Sequence, residues 1–186
     1  MLDMNEKVIL YHGSFCEVSE PDLSKCAKYK DFGQGLYLTT DKTQAEAFAK
    51  ISTAKAISAG IIPASQNYGV VSTFEYAPSL LKCKIYQTAN AEWLHCVVAH
   101  RKSNSFNQIV SDCKQYDVVG GKIANDATNA TITTYMTGTF GAIGSEQADE
   151  ICVRLLSPER LKDQYCFRTE ASLKQFSFVK SGRIWM

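Results

Sequence analysis

The sequence lacks any long hydrophobic run and has almost no net charge. No apolar stretch approaches the roughly 20 residues that a membrane-spanning helix needs. The apolar run at residues 8–11 is too short, and too closely preceded by acidic residues, for a signal peptide. Lysine and arginine number 20 against 19 acidic residues, and the net charge of +1 gives no electrostatic footprint for nucleic acid or anionic lipid. We therefore expect a cytoplasmic protein with no membrane partner.

Histidine is scarce, and the cysteines lack the spacing of a metal-ligand set. The chain has 3 histidines and 7 cysteines, no CxxC pair occurs, and the cysteines are scattered through apolar segments. This pattern is typical of buried, reduced thiols in a cytoplasmic protein rather than of disulfides. It predicts no metal site.

Length and pattern predict one domain over residues 1–186. A chain of 186 residues can bury a core, and short strands and helices without a regular βαβ repeat favour an α+β fold. The predicted strands are residues 8–11, 36–39, 70–76, 80–86, 117–119, 164–168 and 176–179. The predicted helices are residues 43–58 with Asp41 as cap, 92–100, 145–156 with Ser145 as cap, and 169–175, with partial helix in 124–144.

Two short segments near the start carry the main functional signal. The sequence YHGS at residues 11–14 places His12 and Gly13 directly after a strand. The sequence DFGQGLYLTT at residues 31–40 places Tyr37 after a glycine-rich bend that is no dinucleotide fingerprint. An aromatic face, an imidazole and a bare backbone suit a flat ring with a sugar hydroxyl. Taken singly, these residue types are more often structural.

Together, YHGS and FGQGLYLTTDKTQAEAF resemble the nicotinamide pocket of the ADP-ribosyltransferase superfamily. The resemblance is closest to the poly(ADP-ribose) polymerase and diphtheria-toxin type, whose signature is His, Tyr and Glu on three separated strands. Nearly the whole chain is similar to a bacterial branch known as domain of unknown function 3990, grouped with these transferases. The resemblance implies an α+β fold with a split two-sheet β core and flanking helices, and NAD as substrate.

The resemblance also implies roles for the residues of both segments. His12 would bond the adenine-side ribose of NAD, and Gly13, next to Ser14, would hold the nicotinamide amide through its backbone. Tyr37 would stack on the nicotinamide ring. The bend before Tyr37 would be formed by Phe32, Gly33 and Gly35.

Two positions on the following helix depart from the polymerase-like pattern. Phe48 stands where those members carry a second stacking tyrosine, so the ring is kept and the hydroxyl is lost. Ala45 stands where they carry a serine that bonds the carboxamide, so that bond is absent or made elsewhere.

The third catalytic position departs further. Gln164, in DQYCF, is the candidate for the late-strand glutamate, and Glu170 is the nearby alternative. A glutamine can accept a hydrogen bond from the ribose 2′-hydroxyl but brings no negative charge to the developing sugar cation. On this reasoning a Gln164→Glu exchange should speed NAD cleavage by about 10-fold or more.

The expected function is NAD-dependent mono-ADP-ribosylation of an unidentified protein or nucleic-acid acceptor. Two alternatives stay open: a catalytically weak or inactive module that binds NAD or ADP-ribose, and an NAD glycohydrolase. Gln164 favours the binding module.

Other charged residues have a functional and a structural interpretation. Asp117 and Asp126 could line the cleft or cap turns, and Arg101 could bond a pyrophosphate or lie at a solvated helix end. Glu146, Asp149 and Glu150 are expected on the exposed face of a helix.

Overall fold

The strands form two sheets in the computed structural model, which describes residues 6–77, 80–123, 126–157 and 161–186. The first sheet has the order β1-β3-β7 and the second β2-β6-β5-β4. All pairs within the sheets are antiparallel except β4 with β5. The strands are β1 (Val8–Ser14), β2 (Leu36–Leu38), β3 (Tyr68–Tyr76), β4 (Cys83–Ile85), β5 (Val118–Lys122), β6 (Asp163–Phe167) and β7 (Phe176–Trp185).

Helices flank both sheets, and several of them begin at polar caps. The Asp41 carboxylate accepts a hydrogen bond from the Gln44 N–H, and the Ser145 hydroxyl accepts one from the Ala148 N–H, as predicted for both caps. The helices of the described residues are α1 (Lys42–Ser58), α2 (Ala91–Arg101), α3 (Asn107–Cys113), α4 (Asp126–Met136), α5 (Glu146–Leu156) and α6 (Glu170–Leu173). The expected α+β fold with a split two-sheet core and flanking helices is confirmed.

The apolar core has two main parts. One lies between helices α2, α4 and α5 and the second sheet, and contains Trp93, Val97 and Tyr135. The other joins the two sheets through Leu10, Phe74, Tyr76, Tyr165 and Phe167. Because β1 and β3 contribute to the second part together with β6, it links the two sheets to each other.

Some predicted elements differ in extent. The pair Gly120 and Gly121 lies inside β5 rather than after it. An added Cβ atom would come within 2.6 Å of Tyr165 at Gly120 and within 3.0 Å of Trp93 at Gly121, so both positions favour glycine. Strand β7 continues to Trp185 instead of ending at residue 179. The sequence does not predict helix α3, whose N-cap residue, Phe106, makes no side-chain cap hydrogen bond.

All seven cysteines are free thiols, as predicted. The expectation of burial is correct for four of them, Cys96, Cys113, Cys152 and Cys166, whereas Cys16 is exposed. Among the described residues, no helix combines the length and the apolar character that crossing a membrane requires.

Helix α1 lies unusually close to the first sheet at two glycines. A Cβ atom on Gly13 would stand 2.1 Å from the Ala45 carbonyl oxygen, and one on Gly69 would stand 2.6 Å from that of Ala49. Both neighbours are backbone atoms of α1, so neither contact can be relieved by a side-chain rotation. These two positions therefore require glycine for packing.

We expect Gly13→Ala to destabilise the protein, because the added methyl group overpacks the β1–α1 contact. Overpacking of this kind costs about 1–3 kcal/mol in the free energy of unfolding, measured by urea denaturation. Gly182→Ala, on β7 with no atom within 4 Å of the new Cβ, is the matched control. It should leave the free energy of unfolding unchanged or raise it by up to ~1 kcal/mol. Equal stability of the two variants would contradict the packing argument.

Candidate functional site

The two sheets meet at Tyr11 and Thr39 and then separate. The Tyr11 N–H donates to the Thr39 carbonyl at 2.8 Å, and the Thr39 N–H donates back at 3.0 Å. One step further, the His12 ring nitrogen Nδ1 donates to the carbonyl of Tyr37 at 2.8 Å. A side chain therefore takes the place of the next backbone partner at the point where β1 and β2 diverge.

This separation turns the backbone of Gly13 toward a cavity. Backbone groups alternate between the two edges of a strand, so Gly13 faces the same edge as Tyr11. In a continued ladder its partner would be Tyr37, whose carbonyl accepts from His12 instead. The N–H and C=O of Gly13 thus face the gap between the sheets, and Gly13 lines the cavity there.

The cavity has a volume of about 910 Å³, at the upper end of the range of small-molecule and cofactor sites. The three residues predicted as catalytic, His12, Tyr37 and Gln164, all line it. So do four further residues predicted to bind the cofactor: Gly13, Ser14, Gly35 and Phe48. The structure therefore brings together residues that are up to 152 positions apart in sequence (164 minus 12).

Phe32 and Gly33 shape the site without lining the cavity. Phe32 is fully buried and stacks on Tyr86, with ring centroids 6.3 Å apart. Gly33 has a φ of 83°, and a Cβ there would approach His100 to 2.7 Å. Both positions fix the bend before β2 rather than offering a surface to a ligand.

Tyr37 is held by its hydroxyl. That hydroxyl accepts a hydrogen bond from the Phe32 N–H at 2.9 Å and donates one to the Gly33 carbonyl at 2.7 Å. Burial raises the pKa of the phenol well above its ordinary value. Because the hydroxyl is committed to the bend, the ring is the part of Tyr37 that a ligand can contact.

His12 presents an acceptor to the cavity. A carbonyl oxygen can only accept, so Nδ1 carries the proton and Nε2 of the neutral ring has the free lone pair. Burial lowers the pKa of His12, and the hydrogen bond to Tyr37 opposes this only partly. Neutral imidazole is therefore the favoured form at neutral pH.

Gln164 lies beside a buried carboxylate that the sequence did not reveal. Its side chain is 7% exposed, and its Nε2 donates to Asp31 Oδ2 at 2.6 Å. The other carboxylate oxygen of Asp31 accepts from Nε of Arg101 at 2.8 Å and also from Nη2. Arg101 is therefore paired and largely buried, and the expectation of a solvated helix end is wrong.

Asp31 lines the cavity and is itself only 6% exposed. It stands directly before the bend at Phe32 and Gly33, where an aspartate is typical of a turn. The partners Arg101 and Gln164 are 70 and 133 residues away, so no local pattern indicates these contacts.

The remaining acidic candidates lie elsewhere. Glu170 is exposed at the start of α6 and does not line the cavity. Asp117 accepts hydrogen bonds from the Lys82 N–H and the Thr169 hydroxyl. These contacts favour a structural role for Asp117 over a place in the cleft. The side chain of Asp126 lies outside the described residues. Within the described part, no group of three or more His, Cys, Asp and Glu side chains is arranged to hold a metal.

The expected exposed face of α5 is wrong for one residue. Asp149 is buried and accepts hydrogen bonds from His95 Nε2 at 2.7 Å and from the Tyr135 hydroxyl. Glu146 and Glu150 are exposed, as predicted. The Asp149 carboxylate therefore joins α2, α4 and α5 rather than facing solvent.

The sequence also matches a protein-family model. The family, described as "Protein of unknown function (DUF3990)", is matched over residues 8–178, which is more than half of the chain and includes every residue of the cavity discussed above. No curated protein matches the chain.

The lowered pKa of His12 has a consequence for stability. An unfolded histidine titrates near pH 6.5, above the folded value, so the unfolded chain binds more protons as the pH falls through that window. The contribution of His12 to the free energy of unfolding is thus full above about pH 6.5 and is lost as the pH falls toward its folded pKa. Urea denaturation at pH 7.5 and 5.5 should show a smaller loss for His12→Asn than for wild type. Identical losses would contradict the burial of a neutral His12.

Proposed function

The chain belongs to the DUF3990 family of proteins of unknown function, and we propose that it is an NAD-dependent mono-ADP-ribosyltransferase acting on a macromolecular acceptor. The observation that carries the proposal is the backbone of Gly13, turned toward the cavity where β1 and β2 separate. A donor and an acceptor on one residue, next to the ring of Tyr37, match the two functions of a primary amide attached to an aromatic ring.

Nicotinamide fits this arrangement group by group. Its carboxamide oxygen can accept from the Gly13 N–H, and its amide N–H can donate to the Gly13 carbonyl. Its ring can lie against the ring of Tyr37, and Phe48 supplies a second aromatic surface on the cavity wall. Ala45, which lines the same wall, has no hydroxyl to bond the carboxamide. The N–H and C=O of Gly13 are therefore the main polar partners of the carboxamide.

The other residues suit the sugar. Neutral His12 offers Nε2 as an acceptor for a ribose hydroxyl. The amide oxygen of Gln164 can accept a hydrogen bond from the hydroxyl next to the anomeric carbon. A cavity of about 910 Å³ leaves room for a dinucleotide beyond the nicotinamide end.

The proposed reaction exchanges one bond at the anomeric carbon. The C–N bond to nicotinamide breaks and its electron pair leaves with the ring, which becomes neutral and needs no acid. The sugar passes through an oxocarbenium-like state. A nucleophile of the acceptor then bonds to the anomeric carbon and releases its proton to solvent. The protein binds the ring, orients the ribose and excludes water.

A second function is favoured by Gln164. Because this residue is uncharged, it stabilises the sugar cation less than a carboxylate would, and loss of one such contact costs on the order of 100-fold in rate. A module that binds NAD or ADP-ribose with little turnover is therefore the alternative. Hydrolysis of NAD with water as the acceptor is the third outcome.

One incubation separates the three functions. The protein is mixed with NAD labelled in the adenylate group and with a cell extract, and nicotinamide, free ADP-ribose and labelled macromolecules are quantified. Nicotinamide release with label on macromolecules is the expected result. Release with free ADP-ribose alone indicates a glycohydrolase, and bound, unchanged NAD indicates a binding module. If NAD is neither bound nor cleaved, all three functions are refuted.

Phe48 gives a clean test of ring binding, because the hydroxyl of Tyr37 also holds the bend. Phe48 is 41% exposed, so Phe48→Ala should leave the fold intact but lose a stacking contact of about 0.5–1.5 kcal/mol. The dissociation constant of NAD, measured by calorimetry, should rise roughly 2- to 12-fold. Phe178→Ala is the matched control, since Phe178 is 38% exposed on β7 and outside the cavity lining. Equal affinities of the two variants would count against a ring at Phe48.

A further inference from the structure

Asp31 brings a buried carboxylate to the cavity wall beside Gln164, the amide that the sequence pattern indicates as the third catalytic residue. It accepts from Gln164 Nε2 on one side and from two nitrogens of Arg101 on the other. Both neighbours donate, so Asp31 acts as an acceptor toward each of them. Arg101 is anchored in turn by a hydrogen bond from Nη1 to Asn129 Oδ1 at 2.9 Å.

These contacts decide which way the Gln164 amide points. An amide has a donor branch and an acceptor branch, and a carboxylate oxygen with no proton can pair only with the donor branch. The NH₂ group of Gln164 is therefore directed at Asp31, and its carbonyl oxygen Oε1 lies on the opposite branch. Gln164 lines the cavity, so its orientation determines whether a ligand meets an acceptor or a donor there.

We propose that Asp31 is a positioning residue that sets the polarity of Gln164, so that the amide oxygen rather than the NH₂ group is offered to the ligand. For the identity of the ligand group, a ribose hydroxyl, this rests on the proposed function. The orientation of the amide does not depend on that function.

The contact also changes what Gln164→Glu should do. That exchange places two carboxylates where the Nε2–Oδ2 distance is now 2.6 Å, and such a pair shares one proton because both cannot ionise at that separation. The single variant therefore brings no clean negative charge to the ligand. The sequence predicts that Gln164→Glu speeds NAD cleavage about 10-fold. With Asp31 in contact, we expect no such increase from Gln164→Glu alone.

Adding Asp31→Asn resolves the conflict. The new amide oxygen at position 31 can still accept from Arg101, and the new NH₂ group there can donate to the carboxylate at position 164. The double variant keeps the net charge of the wild type and a hydrogen bond between positions 31 and 164, with the donor now at position 31, and moves the carboxylate from position 31 to position 164. Asp31→Asn alone has the opposite effect, because its NH₂ group faces that of Gln164 and forces the amide to turn its donor branch to the cavity.

Nuclear magnetic resonance of the side-chain amides tests the orientation without any ligand. The Gln164 NH₂ signals are assigned by their loss in Gln164→Glu. In the wild type, one of these protons should resonate well downfield, because it is shared with a carboxylate in a short hydrogen bond. Ordinary shifts for both protons would overturn the proposal, and this outcome is decided on the wild-type protein even if Asp31→Asn does not fold. In a folded Asp31→Asn protein the downfield signal should disappear.

Steady-state kinetics with NAD test the consequence. Asp31→Asn should lower kcat on the order of 100-fold with a smaller change in KM, since the lost contact strengthens in the transition state. Gln164→Glu alone should not exceed the wild type at neutral pH, and the double variant should equal or exceed it. A fast Gln164→Glu variant that gains nothing from Asp31→Asn would refute the positioning role. A wild type that binds no NAD would refute the proposed function, whereas the amide signal would still decide the role of Asp31.

Discussion

The hydrogen bond from His12 Nδ1 to the Tyr37 carbonyl is the contact on which the site depends. It ends the pairing of β1 with β2 one step after Tyr11 meets Thr39. Three consequences follow from the same bond: the sheets separate, the backbone of Gly13 loses its ladder partner on β2, and the imidazole is held with Nε2 as acceptor. A continued ladder would close the gap and leave no backbone groups for a ligand.

The surroundings of this bond are closely packed because small residues allow the neighbouring elements to approach each other. Gly13 and Gly69 let α1 lie directly on the first sheet, which carries Phe48 to the cavity wall. Gly35 lets the bend lie on β6, where a Cβ would come within 2.5 Å of the Phe167 carbonyl. The hydroxyl of Tyr37 then ties the bend to β2. Packing thus places the ring, the imidazole and the bare backbone before any ligand arrives.

Sequence reasoning found the residues that follow local patterns and missed those that are joined over long distances. His12, Gly13 and Tyr37 were found through the segments YHGS and FGQGLYLTT taken together, and all three line the cavity, although His12 and Gly13 lie within β1 rather than after it. The caps Asp41 and Ser145 follow from their spacing. Asp31 could not be predicted as part of the site, because a solitary aspartate before Phe-Gly is typical of a turn and its partners Arg101 and Gln164 are distant in sequence. Arg101 and Asp149 were placed in solvent for a similar reason, since helix position alone does not show which polar side chain meets a buried partner.

A crystal structure of the protein with nicotinamide or NAD bound tests the central claim most directly. The account predicts that the carboxamide lies between the N–H and the C=O of Gly13, with both heavy-atom distances near roughly 2.7–3.2 Å, and that the ring lies on Tyr37. A ligand bound elsewhere, or a Gly13 backbone that pairs with protein instead, would contradict it.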